Sequence, residues 1–262
     1  MRRRAAFLLL VGSIGAVTAP LVHAEDREIT KRRAAERKTF TDAEIFDGFF
    51  KTAFGAELEF AGRAERIRKY DKPVRVYVEN RAKPDRSAQV AAVVADIKTR
   101  IANLDIAMTQ DRKAATTIVQ LLREHDFYPA LRKAYGRERT AKIQTSLDPQ
   151  CLSGFAKDAD YRITHSDVHL VADRGDFIFY DCVYEELLQS MGPVNDTASV
   201  RWTMFNDDVQ MGFFDVYDQY ILNILYHPRV RAGMTREEVR ALLPEIMPEV
   251  RAWVAKVNNL VP

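Results

Sequence analysis

A segment near the middle of the chain carries residues that could do chemistry, at regular helical spacing. Glu185 and Gln189 lie one helical turn apart and project to the same side, with Glu186 next to them. Asn195 and Asp196 follow shortly afterwards. Apolar residues share the opposite face at spacings of three and four: Tyr180, Val183, Tyr184, Leu187, Leu188 and Met191. The segment therefore predicts an amphipathic helix whose polar face can bind a ligand or move a proton.

The same segment resembles a known catalytic frame. Residues 185–195 read Glu-Glu-Leu-Leu-Gln-Ser-Met-Gly-Pro-Val-Asn, and metzincin-type zinc peptidases read H-E-x-x-H-x-x-G-x-x-H. The resemblance places Glu186 at the general-base glutamate and Gly192 at the glycine that follows the helix. A glycine there also allows the left-handed turn that ends a helix. The resemblance implies a zincin-like scaffold with Glu186 as the candidate catalytic residue.

The metal ligands of that frame are replaced in this chain. Glu185 and Gln189 stand in place of the two helix histidines, and Asn195 or Asp196 stands in place of the third ligand. Zinc sites use imidazole, thiolate and sometimes carboxylate, and without zinc the remaining glutamate has no activated water. We therefore expect no working zinc peptidase, no bound metal and no cofactor. A hard cation such as Ca²⁺ or Mg²⁺, which accepts carboxylate and amide oxygens, is the alternative.

A wider set of segments is similar to an exported bacterial family described as domain of unknown function 2927. The segments are residues 148–155, 180–189, 205–208, 225–229 and 233–234. The resemblance covers most of residues 45–250 and implies an architecture, but it implies no activity.

The two cysteines, Cys151 and Cys182, are the only ones in the chain. In an oxidising compartment they most simply form one intrachain disulfide. The bridge would close a loop of about 30 residues between Cys151 and Cys182, which contributes on the order of 3 kcal/mol to stability. The competing interpretation is a nucleophilic Cys182 with a nearby histidine.

Three further polar residues alternate along a predicted strand, so that His165, Asp167 and His169 share one face. Residues four apart on a strand are separated by about 13 Å, so one ion cannot reach both histidines. We expect a solvated strand face there. The chain also has no nucleophile elbow, phosphate-binding loop or dinucleotide-binding fingerprint.

The remaining pattern predicts a single zincin-like α+β domain over residues 41–262. It has a mixed sheet, a long helix in its N-terminal half, a central helix and a helical C-terminal part. Strands are predicted near residues 74–78, 116–122, 151–155 and 163–171. Two capping boxes mark helix starts, Thr41-x-x-Glu44 and Thr235-x-x-Glu238. Pro244 and Pro248 are expected to break the last helix.

The N-terminus has the pattern of a cleavable export signal. Residues 1–24 contain three arginines, an apolar run and a small-residue site at Val22-His23-Ala24. A membrane anchor is the alternative. Residues 25–40 are charged and lack an apolar stripe, so we expect a solvated lead segment. We expect a periplasmic or secreted protein with no membrane span after cleavage.

The net charge is distributed unevenly along the chain. Residues 25–157 hold 27 basic and 20 acidic side chains, whereas residues 158–218 hold 13 acidic and only 3 basic ones. A formal net charge of +2 without a basic cluster excludes a nucleic-acid partner. A partner that binds residues 158–218 would therefore contact a surface rich in carboxylates.

These features predict a non-catalytic binding or scaffold protein of the cell envelope, with Glu185, Glu186, Gln189, Asn195 and Asp196 as its contact surface. The expected partner is an unidentified envelope protein or peptide. A hydrolase that uses Glu186 as general base, with or without an oxygen-ligated cation, is the alternative. A purely structural envelope component is a third interpretation.

Overall fold

The computed structural model describes residues 25–55, 65–146, 150–193 and 195–260, and the predicted export signal lies outside these residues. The helices are α1 (Arg27–Ala35), α2 (Asp42–Thr52), α3 (Ser87–Arg100), α4 (Glu124–Tyr135), α5 (Arg137–Ser146), α6 (Asp176–Gln189), α7 (Val216–Leu225) and α8 (Arg236–Asn258). The strands are β1 (Val74–Asn80), β2 (Ile106–Met108), β3 (Thr117–Leu122), β4 (Cys151–Lys157) and β5 (Ile163–Val171). The prediction of an α+β fold is confirmed.

The strands form one mixed sheet in the order β2-β1-β3-β5-β4. Strands β2, β1, β3 and β5 are parallel, whereas β4 at the edge runs antiparallel to β5. β1 and β5 follow the predicted pattern, because Val74, Val76, Val168 and Leu170 are fully buried. The sheet is therefore mixed, as expected, and its antiparallel edge strand lies beside α6.

The helices cover the two sheet faces unequally. Most buried apolar side chains, including those of α2, α3, α6, α7 and α8, belong to one large core against one face. A much smaller cluster lies under α4 and α5 on the other face, and its members are Leu122, Phe127, Leu131, Ile143, Leu152 and Val171. The central helix α6 therefore belongs to the main core.

The C-terminal helix corrects one prediction. Pro244 and Pro248 do not break it, and α8 continues through both from Arg236 to Asn258. Both prolines lie on the exposed side of the helix. The carbonyls that they leave without a helical partner belong to Arg240 and Pro244, which are also exposed, so water can satisfy them. Both capping boxes are present as predicted.

The lead segment is also more ordered than expected. Residues 25–40 contain α1, and Ile29 on this helix is only 2% exposed. Arg33 lies over the ring of Phe213, 4.3 Å from its centroid. One buried apolar residue, the cation–π contacts of Arg32 and Arg33, and a hydrogen bond from Arg32 to the carbonyl of Gln210 anchor this helix. None of these contacts produces an apolar stripe in the sequence.

Across the described ranges, none of the helices combines the length and the apolar character that a bilayer crossing requires.

Candidate functional site

The central helix α6 forms the floor of a cleft. Its core side is fixed by Val183, Leu187 and Leu188, which are at most 1% exposed. Gly175 precedes the helix with a φ of 101°, which a glycine adopts without strain. The polar side of α6 is not open to bulk solvent, because two further segments rise beside it. Because Val183, Leu187 and Leu188 face the core, the helical register predicted from the apolar spacing is correct.

The turn after α6 depends on a glycine. Gly192 has a φ of 140°, and a Cβ there would lie 2.3 Å from the carbonyl oxygen of Arg68 and 2.8 Å from a methyl carbon of Leu225. Only a residue without a side chain permits this close approach of two backbone segments. The turn sends the chain back along α6.

The returning chain, residues 195–212, forms one wall of the cleft. At its start, Nε2 of Gln189 donates a hydrogen bond to Oδ1 of Asp196 at 2.6 Å. At its end, the backbone N–H groups of Met211 and Gly212 donate to Oδ1 of Asp181 at 2.6 and 3.1 Å. The wall is thus fastened to both ends of the floor by side chains of α6.

The first residues of β4 form the other wall. The disulfide between Cys151 and Cys182 joins this wall to the floor with a Cα–Cα distance of 5.8 Å. The predicted pairing is confirmed, and a free nucleophilic Cys182 is excluded because both cysteines are bonded. The cleft has a volume of about 310 Å³. Its lining residues are Gln150, Cys151, Leu152, Ile178, Asp181, Cys182, Glu185, Glu186, Gln189, Asp196, Asp207, Val209 and Gln210.

Four of the five predicted contact residues lie in this cleft: Glu185, Glu186, Gln189 and Asp196. Asn195 does not. Its Nδ2 donates to the backbone carbonyl of Lys51 at 2.7 Å, and its side chain packs against Gly55. Asn195 therefore joins the returning chain to the end of α2, a packing role that the linear frame could not reveal.

Among the acidic residues that line the cleft, Asp181 and Asp207 were not predicted as contact residues. Ligand oxygens of Glu185, Asp196 and Asp207 all lie within 4.8 Å of one another. Asp207 sits 11 residues beyond Asp196 in an irregular segment, where no periodicity relates it to the helix. Its only sequence signal is the local cluster of acidic residues at 207–208.

Burial and crowding shift the acidic groups of the cleft. Desolvation raises the pKa of Asp181 to about 6, although its two backbone hydrogen bonds oppose the shift. Desolvation also raises the pKa of Glu186 to about 8, with hydrogen bonds from Ser153 opposing it. Burial raises the pKa of Glu185 well above the usual value, and the surrounding negative charges raise it further. The cleft therefore favours protons or other positive charge.

This donor set does not fit zinc. The position of the second helix histidine is held by an amide whose N–H group points at Asp196, 2.6 Å away. The first ligand position carries the carboxylate of Glu185, and the third carries the amide of Asn195, or one residue later the carboxylate of Asp196. Zinc sites of the peptidase kind are built mainly from imidazole nitrogen, so these residues do not form a zinc site of that kind.

The histidines of β5 form no comparable site among the described residues. His165 pairs with Asp167 at 3.5 Å, and this contact raises the pKa of His165. His169 is fully buried rather than solvated, and its ring centroid lies 5.8 Å from that of Tyr135. The expectation of a solvated strand face is thus wrong for His169, because α4 covers this part of the sheet.

The fold and the cleft together define an α+β domain with an acidic, disulfide-braced candidate binding site. Residues 42–245 match the family model described as "Protein of unknown function (DUF2927)", and the chain belongs to this family. No curated protein and no solved structure matches the chain significantly. The predicted family membership is confirmed, and the family description assigns no activity.

Proposed function

We propose that the protein is an exported binding protein of the cell envelope, built on a zincin-like scaffold without zinc chemistry. The observation that carries this proposal is the composition of the cleft. Five carboxylates line it, from Asp181, Glu185, Glu186, Asp196 and Asp207. The zinc-ligand positions of the frame carry Glu185, Gln189 and either Asn195 or Asp196, none of which is a histidine.

The order of elements supports the scaffold part of the proposal. A strand, a long helix and further strands precede the central helix α6, as the resemblance to zincin-like domains implies. The cleft lies between α6 and the antiparallel edge strand β4. The glycine turn follows α6 directly, at the position that the frame predicts.

The cleft favours a ligand that brings positive charge. Its carboxylates raise one another's pKa values, so that a cationic group entering the cleft relieves this repulsion. Within the described part of the chain, β4 pairs on one side only, with β5. An extended peptide can therefore hydrogen bond to the other side of β4 while its side chains enter the cleft.

The alternative, a hydrolase with Glu186 as general base, is less well supported. A carboxyl with a pKa of about 8 is ionised in only about one tenth of molecules at pH 7. A protonated carboxyl cannot accept the proton of an attacking water. Glu186 is also 6% exposed and lies at the bottom of the cleft.

Metal content tests the absence of zinc chemistry. The purified protein should contain no stoichiometric zinc by elemental analysis, and chelators should leave any peptide cleavage unchanged. Stoichiometric zinc together with chelator-sensitive cleavage of peptides would show that the proposal is wrong.

Substitution in cells separates binding from catalysis. In a strain that lacks the native gene, E186Q should retain more function if the cleft binds than if it catalyses, because the amide keeps the shape of the carboxyl. Loss of function in E186Q with unchanged thermal stability would instead identify a hydrolase. The double variant E185Q/D207N should lose function under the binding proposal and keep it if the protein is purely structural.

A further inference from the structure

Three carboxylates from separate parts of the chain converge on one point of the cleft. Glu185 comes from the floor, whereas Asp196 comes from the start of the irregular wall and Asp207 from its later part. Their ligand oxygens lie within 4.8 Å of one another. Two ligands on opposite sides of a Ca²⁺ ion are about 4.8 Å apart, twice a bond of about 2.4 Å. The three side chains can therefore contact a single ion of that size.

A second, independent feature points to a ligand at this place. Oε2 of Glu186 is buried and has no hydrogen-bond partner among the described residues, and Glu186 lines the same cleft. A buried oxygen without a partner costs about 1–3 kcal/mol unless a ligand or an ordered water satisfies it. The negative charges of Asp196 and Asp207 also act on this carboxyl, so it lies close to the converging group.

The electrostatic environment of Glu185 is acidic. The charged neighbours that act on Glu185 are Glu186, Asp196, Asp181 and Asp207, all of them acidic. Glu185 and Asp207 take part in no ion pair within the described ranges. Crowded carboxylates of this kind are stable when they take up protons or a cation.

We propose that the cleft binds one hard divalent cation of the Ca²⁺ class through the carboxylates of Glu185, Asp196 and Asp207. The hydrogen bond from Gln189 holds the carboxylate of Asp196 toward the other two. Glu186 lines the same cleft, where it can contact the ion directly or through a water. Oxygen-only ligation selects a hard cation over zinc. This inference rests on the proposed function, because the ion supplies the positive charge that the cleft accepts.

Calorimetry with the purified full chain tests the inference directly. The protein is first dialysed against chelator and then titrated with CaCl2 at pH 7.5. One Ca²⁺ per chain should bind, and Ca²⁺ should raise the midpoint of thermal unfolding. The same titration with ZnCl2 should show weaker binding, because the ligands are oxygens.

Two adjacent exposed residues provide a matched pair of variants. Asp207 and Asp208 are both exposed, but only Asp207 belongs to the converging group. D207N should weaken Ca²⁺ binding at least tenfold, whereas D208N should change it less than twofold. Because both residues are exposed, both variants should keep the fold, and equal midpoints of thermal unfolding without Ca²⁺ would show that a loss of binding in D207N is not due to unfolding.

Two results would overturn the inference: no Ca²⁺ binding at 10 mM, or equal weakening by D207N and D208N. These results leave the proposed function intact, because E185Q/D207N can still lose activity in cells through loss of a peptide contact. The opposite combination is Ca²⁺ binding by the native protein together with full function of E185Q/D207N in cells. That result would support the ion site and contradict the proposed binding role of the cleft.

Discussion

The side-chain amide of Gln189 donates a hydrogen bond to a carboxylate oxygen of Asp196 at 2.6 Å. This contact joins the last turn of α6 to the chain that returns along it. It also shows why the cleft differs from a zinc site: two positions that resemble metal ligands in the sequence bind each other here. The amide stabilises the ionised carboxylate, which otherwise lies in a strongly acidic environment.

Replacing the amide by a carboxylate should reverse this stabilisation. In Q189E two carboxyl groups share a contact of hydrogen-bond length, so one of them must bind a proton or a cation. We expect a loss of about 1–3 kcal/mol in the free energy of unfolding at pH 8 in the presence of chelator. The loss should shrink at pH 5, where the shared proton is available. Chemical denaturation at both pH values measures it.

The matched control for that variant is Q144E, on the exposed surface of α5. It adds the same charge away from the cleft and should change the stability by less than about 0.5 kcal/mol. Equal effects of Q189E and Q144E would show that the contact with Asp196 contributes nothing.

The disulfide should contribute strongly to stability. It closes a sequence separation of 31 residues between β4 and α6, and the loop entropy of such a bridge corresponds to about 3–4 kcal/mol. The double variant C151S/C182S should lose about this amount in urea denaturation. Reduction of the native protein should give the same loss. An unchanged denaturation midpoint after complete reduction would contradict the expectation.

Local patterns predicted much of the fold, because they are set by neighbours in sequence. The capping boxes at Thr41 and Thr235 and the bounds of β5 followed from side chains that act within one turn or one strand. The prediction that Pro244 and Pro248 break α8 was wrong. The free-energy cost of a proline within a helix depends on whether the carbonyl that it leaves without a partner faces water. That orientation is a property of the packed core.

The candidate site was only partly predictable for the same reason. The residues on α6 share a helix, so their common face could be read from spacing alone. Asp207 enters the cleft through an irregular wall, and Asn195 leaves it toward Lys51. Both placements are fixed by long-range contacts that a linear motif does not encode.

Gly192 should tolerate no side chain. In G192A the new Cβ would lie 2.3 Å from the carbonyl oxygen of Arg68, and the backbone would keep a positive φ of 140°. We expect a loss of about 3 kcal/mol or more in the free energy of unfolding, from strain together with overpacking.

G136A separates these two causes. Gly136 also has a positive φ, of 84°, but a Cβ there meets no atom within 4 Å. This variant should lose less than G192A, about 1–3 kcal/mol, which is the cost of a backbone conformation that is essentially restricted to glycine. Equal losses in both variants would show that the approach to Arg68 costs nothing.

Asp181 should make the stability of the protein decrease between pH 4 and pH 6. Burial raises its pKa in the folded state to about 6, above the ordinary value of 3.8. Within this range the folded state binds more protons than the unfolded state, so the free energy of unfolding falls as the pH rises. A shift of this size corresponds to at most about 3 kcal/mol at pH 7. D181N keeps an oxygen that accepts from Met211 and Gly212 but cannot ionise.

D181N should therefore match the wild type at pH 4 and equal or exceed its stability at pH 7. Urea denaturation from pH 4 to pH 7, with chelator present, measures both profiles. D208N removes a carboxylate that is exposed in the same wall, and its profile should follow that of the wild type. If D181N retains the full decrease between pH 4 and pH 6, another group is responsible. The buried Asp218, whose pKa burial also raises to about 6, is then the next candidate.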